Sequence, residues 1–212
     1  MPLQNRVDPT GAICTNPARG EFMGNRGGAL HNAERQIVRT QKTKSWIICL
    51  TEFKGWRRKL MQPGRYTELF FLDEVIALAA GHRPCFECRR KDAIAFAEAL
   101  GRSLGAKRLS APAIDDLLAP ERKRSADSSE RIVARSAVSS VPNGVMVRHG
   151  ETHCAVRAGM LLPWSFGGFG APVEANTVAA SAIYLATPPS TVAALRQGYH
   201  PVFHSRAWKP AT

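Results

Sequence analysis

The chain has 212 residues, 44% of them hydrophobic, and 29 Lys and Arg against 17 Asp and Glu give it a net charge of +12. That is enough apolar mass for one large domain or two small ones with buried cores, so a globular protein is expected. No stretch approaches the roughly 18 consecutive apolar residues of a membrane span, and the N-terminal MPLQNRVDPTGA has no apolar signal core, which points to a cytoplasmic protein without a membrane partner.

Residues 1–30 are punctuated by Gly, Asn and Pro (NRVDPTG, MGNRGG) and predict turns and irregular backbone. KSWIICLTEF (44–53), an apolar run with Trp, Ile and Thr, predicts a buried strand. LDEVIALAAG (72–81) predicts a helix, with Asp73 as its cap, Val75, Ile76 and Ala79 at helical spacing, and Gly81 at its end. RKDAIAFAEALGRSLG (90–105) predicts a second helix. Residues 109–140 are polar, with Pro and Ser and a short apolar pattern at Ile114, Leu117 and Leu118, and predict a linker holding one short helix. A hairpin (144–159), a Gly-rich loop PWSFGGFGAP (163–172), a strand SAIYLAT (181–187) and a last helix PPSTVAALRQG (188–198) follow. The expected fold class is α+β: a small N-terminal module over 1–108, a hairpin plus two helices, then a small C-terminal α+β unit over 141–212. DEVIALAAGHRP (73–84) and STVAALRQGYHP (190–201) echo each other, which we read as shared helix-stop chemistry, a terminating Gly followed by an X-Pro segment.

The charge is uneven. Residues 1–108 hold 19 basic and 10 acidic side chains, and residues 35–65 alone hold nine basic groups against one acid, with Trp46, Phe53 and Trp56 interleaved. Basic groups neutralise phosphates and aromatic rings stack on bases, so this composition fits a nucleic-acid surface, DNA before RNA, with Lys42, Lys44, Arg57, Arg58, Lys59, Arg83, Arg89 and Arg90 as the contacts. The alternative is a solvated basic face over an aromatic core.

Five cysteines are too odd a set for a disulfide framework, and a reducing compartment argues against one, so Cys85-Phe-Glu-Cys88 is assigned to metal or catalysis. A structural Zn²⁺ takes four ligands in a tetrahedron, and a Cys-x-x-Cys turn before a helix supplies two thiolates at the right bite. For the other two we take Cys49, in the strand, and His31, in the segment before it, with Cys14 and His82 as substitutes. Arg83, Arg89, Arg90 and Lys91 surround the turn and favour thiolate.

FFLDEVIALAAGHRPCFEC (70–88) resembles the second half of the Ada-type zinc domain, the metal-binding module of bacterial DNA alkylation-repair methyl acceptors: an aromatic pair, a short helix ending in A-x-x-A-G, then R-P-C-x-x-C and another helix. His82 stands where that pattern has an aromatic residue, and KGWRR (54–58) has no counterpart to its upstream ligand pair. The resemblance implies zinc binding and DNA repair, and would place the methyl-accepting role on Cys49.

RPCFEC also matches the Pro-Cys-x-x-Cys half of a nucleobase deaminase, but the His-x-Glu or Cys-x-Glu half is missing, HNAE and CLTE each being one residue too long. A thioredoxin-like role lacks its strand-before-helix context. A treble-clef nuclease would need a histidine site, and His31, His153, His200 and His204 stand in no recognisable order. Asn25, Arg26, Arg65, Tyr66 and Glu68, together with Trp164, Phe166 and Phe169 of the Gly-rich loop, are candidate pocket residues. The expected function is zinc-dependent nucleic-acid binding in DNA repair or processing. The alternatives are an enzyme acting on nucleic acid around a structural zinc, and a partner-binding structural protein whose charge serves solubility.

Overall fold

The computed structural model describes residues 1–55, 59–123, 128–178 and 182–210. The chain is α+β, as expected, and its strands form two mixed or antiparallel sheets. The first holds β1 (Gln4–Val7), β2 (Ile13–Thr15), β3 (Phe22–Asn25), β4 (Ile47–Leu50), β5 (Leu69–Phe71) and β6 (Arg83–Pro84), in the spatial order β2-β1-β5-β3-β4-β6. Three of these strands come from the first 30 residues, where turns were expected. They are three or four residues long and carry Gln4, Asn5 and Arg6, so neither length nor hydrophobicity marks them.

The second sheet holds β7 (Ile132–Val133), β8 (Met146–His149), β9 (Thr152–Arg157), β10 (Met160–Ser165), β11 (Gly168–Phe169) and β12 (Ile183–Leu185), ordered β11-β10-β9-β8-β12-β7. The predicted hairpin is β8–β9, closing where His149 faces Thr152. The Gly-rich loop is itself a hairpin, β10–β11, in which Trp164 pairs with Phe169 and Ser165 with Gly168.

Helices α1 (Glu74–Ala79), α2 (Arg90–Ser103), α3 (Ala111–Glu121) and α4 (Pro189–Arg196) fall where the periodicity puts them. Asp73 caps α1 by accepting the Ile76 N–H at 3.0 Å. All six α1 residues are buried, because the helix packs against β3 and β5 of one sheet and β8 of the other. Apart from Glu74, whose carboxylate is hydrogen-bonded, the helix is apolar on every side and belongs in such a place. The two echoing segments share their helix stop: Gly81 and Gly198 donate to the third carbonyl back, and His82 and Tyr199 donate to the fifth, which satisfies carbonyls the helix would leave open.

One continuous core takes Ile48 and Phe71 from the first sheet, Val147 and Val156 from the second, and Phe96 and Leu195 from α2 and α4. Residues 109–140, expected as a linker, contribute Ile114, Leu118 and Val138 to it, each fully buried. Each is worth about 1.5–3 kcal/mol of burial, so the described parts of this segment that carry them are packed structure. The C-terminal residues return to α1, where Tyr199 Oη and Val202 N–H donate to Glu74 and His204 N–H donates to Asp73. Among the described residues no helix is long and apolar enough to cross a membrane.

Candidate metal centre

Side chains alternate along a strand, and in the first sheet this alternation builds the site. Phe22, Ile48, Leu69 and Phe71 are buried on the core face. Gly24 shares that face, where an added Cβ would meet the Phe71 ring at 2.6 Å and the Ile47 carbonyl at 2.5 Å, so no larger residue fits. The opposite face carries Met23, Asn25, Ile47, Cys49 and Phe70, with Met23 in register with both Cys49 and Phe70.

Strand β6 runs parallel to β4 and brings in the other two cysteines. Arg83 N–H donates to the Trp46 carbonyl and Cys85 N–H to the Ile48 carbonyl at 2.9 Å, which sets Cys85 beside Cys49. The chain then turns, with Arg89 N–H closing on the Cys85 carbonyl at 3.1 Å, and α2 starts at Arg90. The turn carries Cys88 round to the same side. The sulfurs of Cys49, Cys85 and Cys88 all lie within 4.8 Å of one another.

Their electrostatics suit a cation. The Cys85 thiol lies well below its ordinary pKa, because the thiols of Cys49 and Cys88 donate to it and the Glu87 and Cys88 N–H groups point at it. Cys49 is pushed up by its hydrogen bonds to Cys85 and Cys88 and by burial. A hydrogen bond with Cys49 pulls Cys88 down, but Cys85 and burial leave it raised. Three sulfurs this close form a donor set that a metal can take over by displacing the thiol protons. A tetrahedral ion with metal–sulfur bonds of about 2.3 Å needs sulfurs about 3.8 Å apart, which this cluster accommodates with small side-chain adjustments. The cluster can therefore hold a metal ion. None of the five cysteines is in a disulfide.

His31 is not brought to this cluster. Its Nδ1 lies 2.6 Å from Thr67 Oγ1 and its Nε2 3.3 Å from the Gln62 carbonyl, so both ring nitrogens are engaged elsewhere. Among the described residues no His, Asp or Glu joins the three sulfurs. Of the substitutes, Cys14 sits beside Asp8 on β2, and His82 is fully buried against Trp46 and Phe71, where its Nε2 accepts from Arg26.

The three cysteines line a cavity of about 310 Å³ on the outer face of the sheet. Phe53, Leu60, Tyr66 and Glu68 cover it from the 51–68 segment, while Asn25, Phe70 and Glu87 complete its walls. Glu68 is 2% exposed and accepts the Met61 N–H at 2.8 Å through Oε2. A neighbouring cavity of about 370 Å³ shares Tyr66 and Glu68 and adds Lys59, Gln62 and Arg65.

The expected pocket residues therefore divide. Asn25, Tyr66 and Glu68 line the cysteine cavity and Arg65 the adjoining one, whereas Arg26 turns inward to the other side of the sheet. Trp164 and Phe169 pack on a separate apolar cluster around Leu72, Val75 and Leu162, and Phe166 stands edge-on to Trp164 at 4.8 Å, so this trio is packing for the hairpin.

The expected phosphate contacts divide as well. Lys42, Lys44, Lys59 and Arg90 are exposed, with Lys44 paired to Asp116 at 2.7 Å. Arg83 and Arg89 are buried instead: Arg83 makes a two-pronged pair with Asp115 at 2.9 and 2.8 Å, and Arg89 bridges Glu74 and Asp92. Their charges are spent inside the protein. Arg57 and Arg58, like Trp56, lie outside the described residues. Sequence reasoning missed Met23, Ile47, Phe53, Leu60 and Phe70 as cavity walls, although the alternation of β3, β4 and β5 around Cys49 carries the signal for three of them. No protein-family model matches the chain, and neither the curated proteins nor the solved structures yield a match to it.

Proposed function

We propose that the protein is a zinc protein acting on nucleic acid, with Zn²⁺ held by Cys49, Cys85 and Cys88 and its fourth position turned towards the cavity. The observation that carries this reading is a cluster of three thiols, joined by no fourth side chain among the described residues, in the wall of a cavity partly open to solvent. Structural zinc sites close with four protein ligands, whereas working ones keep a position open. When bound, the ion supplies a Lewis acid at that position.

The remaining walls have complementary parts. Phe53 and Phe70 put aromatic rings into the wall, the kind of surface on which a base stacks. Glu68, buried in the same wall, is the acidic side chain of the cavity's cover. Lys59 and Arg65, in the adjoining cavity, are exposed and stand where the phosphates of a strand entering the first cavity would run. A DNA-repair role, in which Cys49 accepts an alkyl group, is the narrower form of the same reading.

A salt titration of affinity, read by fluorescence anisotropy on labelled single strands and duplexes, tests it. Wild type binds at about 50 mM salt, and replacing Lys59 and Arg65 by Ala lowers the slope of log K against log[salt] by about 1.4 units on single strands or about 1.8 on duplex. Absence of binding to either form at low salt overturns the nucleic-acid reading and leaves the metal site standing.

A further inference from the structure

Cys85 and Cys88 stand in a setting that the sequence does not disclose. Strand β6 runs straight into Cys85, and α2 begins at Arg90, two residues after Cys88. The strand is only two residues long and ends in proline, so neither length nor pattern announces it. Strand, Cys-x-x-Cys and helix in that order is the context in which a cysteine pair cycles between dithiol and disulfide.

The turn also brings the two sulfurs within bonding reach. Arg89 N–H closes on the Cys85 carbonyl at 3.1 Å, so the segment winds through one helical turn, and residues three apart on such a turn face the same side. Their sulfurs lie within 4.8 Å of each other, and small side-chain rotations bring them together. Glu87 N–H points at Cys85 Sγ from 3.4 Å, a donor that favours negative charge on that sulfur as an S–S bond forms or breaks. Both cysteines line the cavity, and Cys88 is half-buried where Cys85 is 8% exposed, so a small oxidant reaches Cys88 first. Cys14 and Cys154 lie outside the cluster, beside Asp8 and His149.

We propose that Cys85 and Cys88 are a reversible redox pair that hydrogen peroxide closes to a disulfide. The Cys88 sulfur attacks one peroxide oxygen, the O–O bond breaks, and a sulfenic acid forms as the first water leaves. The Cys85 sulfur then attacks the sulfenic sulfur, expels its hydroxyl as the second water and closes the S–S bond. The two sulfurs lose two electrons to the peroxide. The two protons taken up by the leaving oxygens come from the thiols, or from solvent where a metal holds the thiolates. Cys49 stays a thiol, since only two of the three sulfurs are consumed. Only a thiolate is a strong ligand, so closing the pair leaves Cys49 alone and releases the ion. That release rests on the zinc reading above, whereas the disulfide does not.

The test treats the reduced full chain with hydrogen peroxide, follows zinc release with a chromogenic chelator, and maps free thiols by iodoacetamide labelling of the denatured protein. Cys85 and Cys88 lose their label together, Cys14, Cys49 and Cys154 keep theirs, and dithiothreitol restores the lost label in full. A Cys49→Ser variant still closes the disulfide. All five cysteines labelled after peroxide, a wild-type disulfide that includes Cys49, or a label that dithiothreitol does not restore overturns the proposal. Zinc content before the peroxide judges the metal reading separately. A chain that purifies without zinc yet closes the disulfide contradicts that reading and upholds the redox pair, and a zinc-loaded chain that keeps every thiol does the reverse.

Discussion

Arg89 Nη2 lies 2.9 Å from Glu74 Oε2, an ion pair in which neither side chain is more than 2% exposed. It ties the residue next to Cys88 to the first turn of α1, and Glu74 also receives the Tyr199 hydroxyl and the Val202 N–H. The cysteine turn, α1 and the C-terminal residues thus meet at one carboxylate. Arg89→Met leaves that carboxylate buried without its cation and costs about 3–5 kcal/mol. Adding Glu74→Gln to Arg89→Met removes the stranded charge, so the double variant is more stable than the single one. Urea unfolding of the three proteins measures this, and a double variant no better than Arg89→Met contradicts it.

His82 makes folding sensitive to acid. Burial, and then Arg26 and Arg122, hold its pKa well below the ordinary 6.5. Its Nε2 accepts from Arg26, and its Nδ1 has no partner. Below pH 6.5 the unfolded chain takes up a proton that the folded one refuses, so stability falls as pH drops, by up to about 1.4 kcal/mol per unit from this group. His82→Phe keeps the ring contacts with Trp46 and Phe71 and removes the titration. Its stability measured between pH 6.5 and 4.5 declines less steeply than that of wild type, and parallel declines assign the acid sensitivity to other groups.

Glu68 pins the segment that covers the cysteine cavity. Without its carboxylate the buried N–H of Met61, a residue held at φ +49°, has no acceptor. Glu68→Ala costs about 1.5–3 kcal/mol locally, and hydrogen exchange of residues 59–68 rises while exchange in α2 does not. Metal content stays at the wild-type level, since Glu68 is outside the sulfur cluster.

Gly81 and Gly198 close α1 and α4 in the same way, at φ +85° and +92°, but their surroundings differ. A Cβ on Gly198 meets nothing, whereas one on Gly81 comes within 2.7 Å of the Arg122 side chain. Gly198→Ala therefore costs about 1–2 kcal/mol of backbone strain alone. Gly81→Ala costs more, because it also displaces a guanidinium stacked on Trp46. Thermal unfolding ranks the two, and equal losses contradict the packing argument.

Much of the helical content was legible because α1, α2 and α4 carry strong periodicity with clear stops. The strands of the first 30 residues were not, since Asn5 and Arg6 owe their place to pairing with distant partners, as Arg6 with Phe70. The Cys85–Cys88 turn could be read from spacing, and Cys49 from its strand. His31 could not be separated from a ligand by sequence: its true partners are Thr67 and Gln62, more than 30 residues away. Arg83 and Arg89 looked like surface cations because the carboxylates that bury them, Asp115 and Glu74, are distant in the chain. A count of charges says nothing about which of them the fold pairs.

The most direct test of the metal centre is zinc-edge X-ray absorption on the purified protein, read together with metal analysis of wild type and a Cys85→Ser, Cys88→Ser variant. The account predicts one Zn²⁺ per chain, three sulfurs at about 2.3 Å and one oxygen or nitrogen at about 2.0 Å, with the ion lost from the variant. A shell of four sulfurs, or equal zinc in the two proteins, contradicts it.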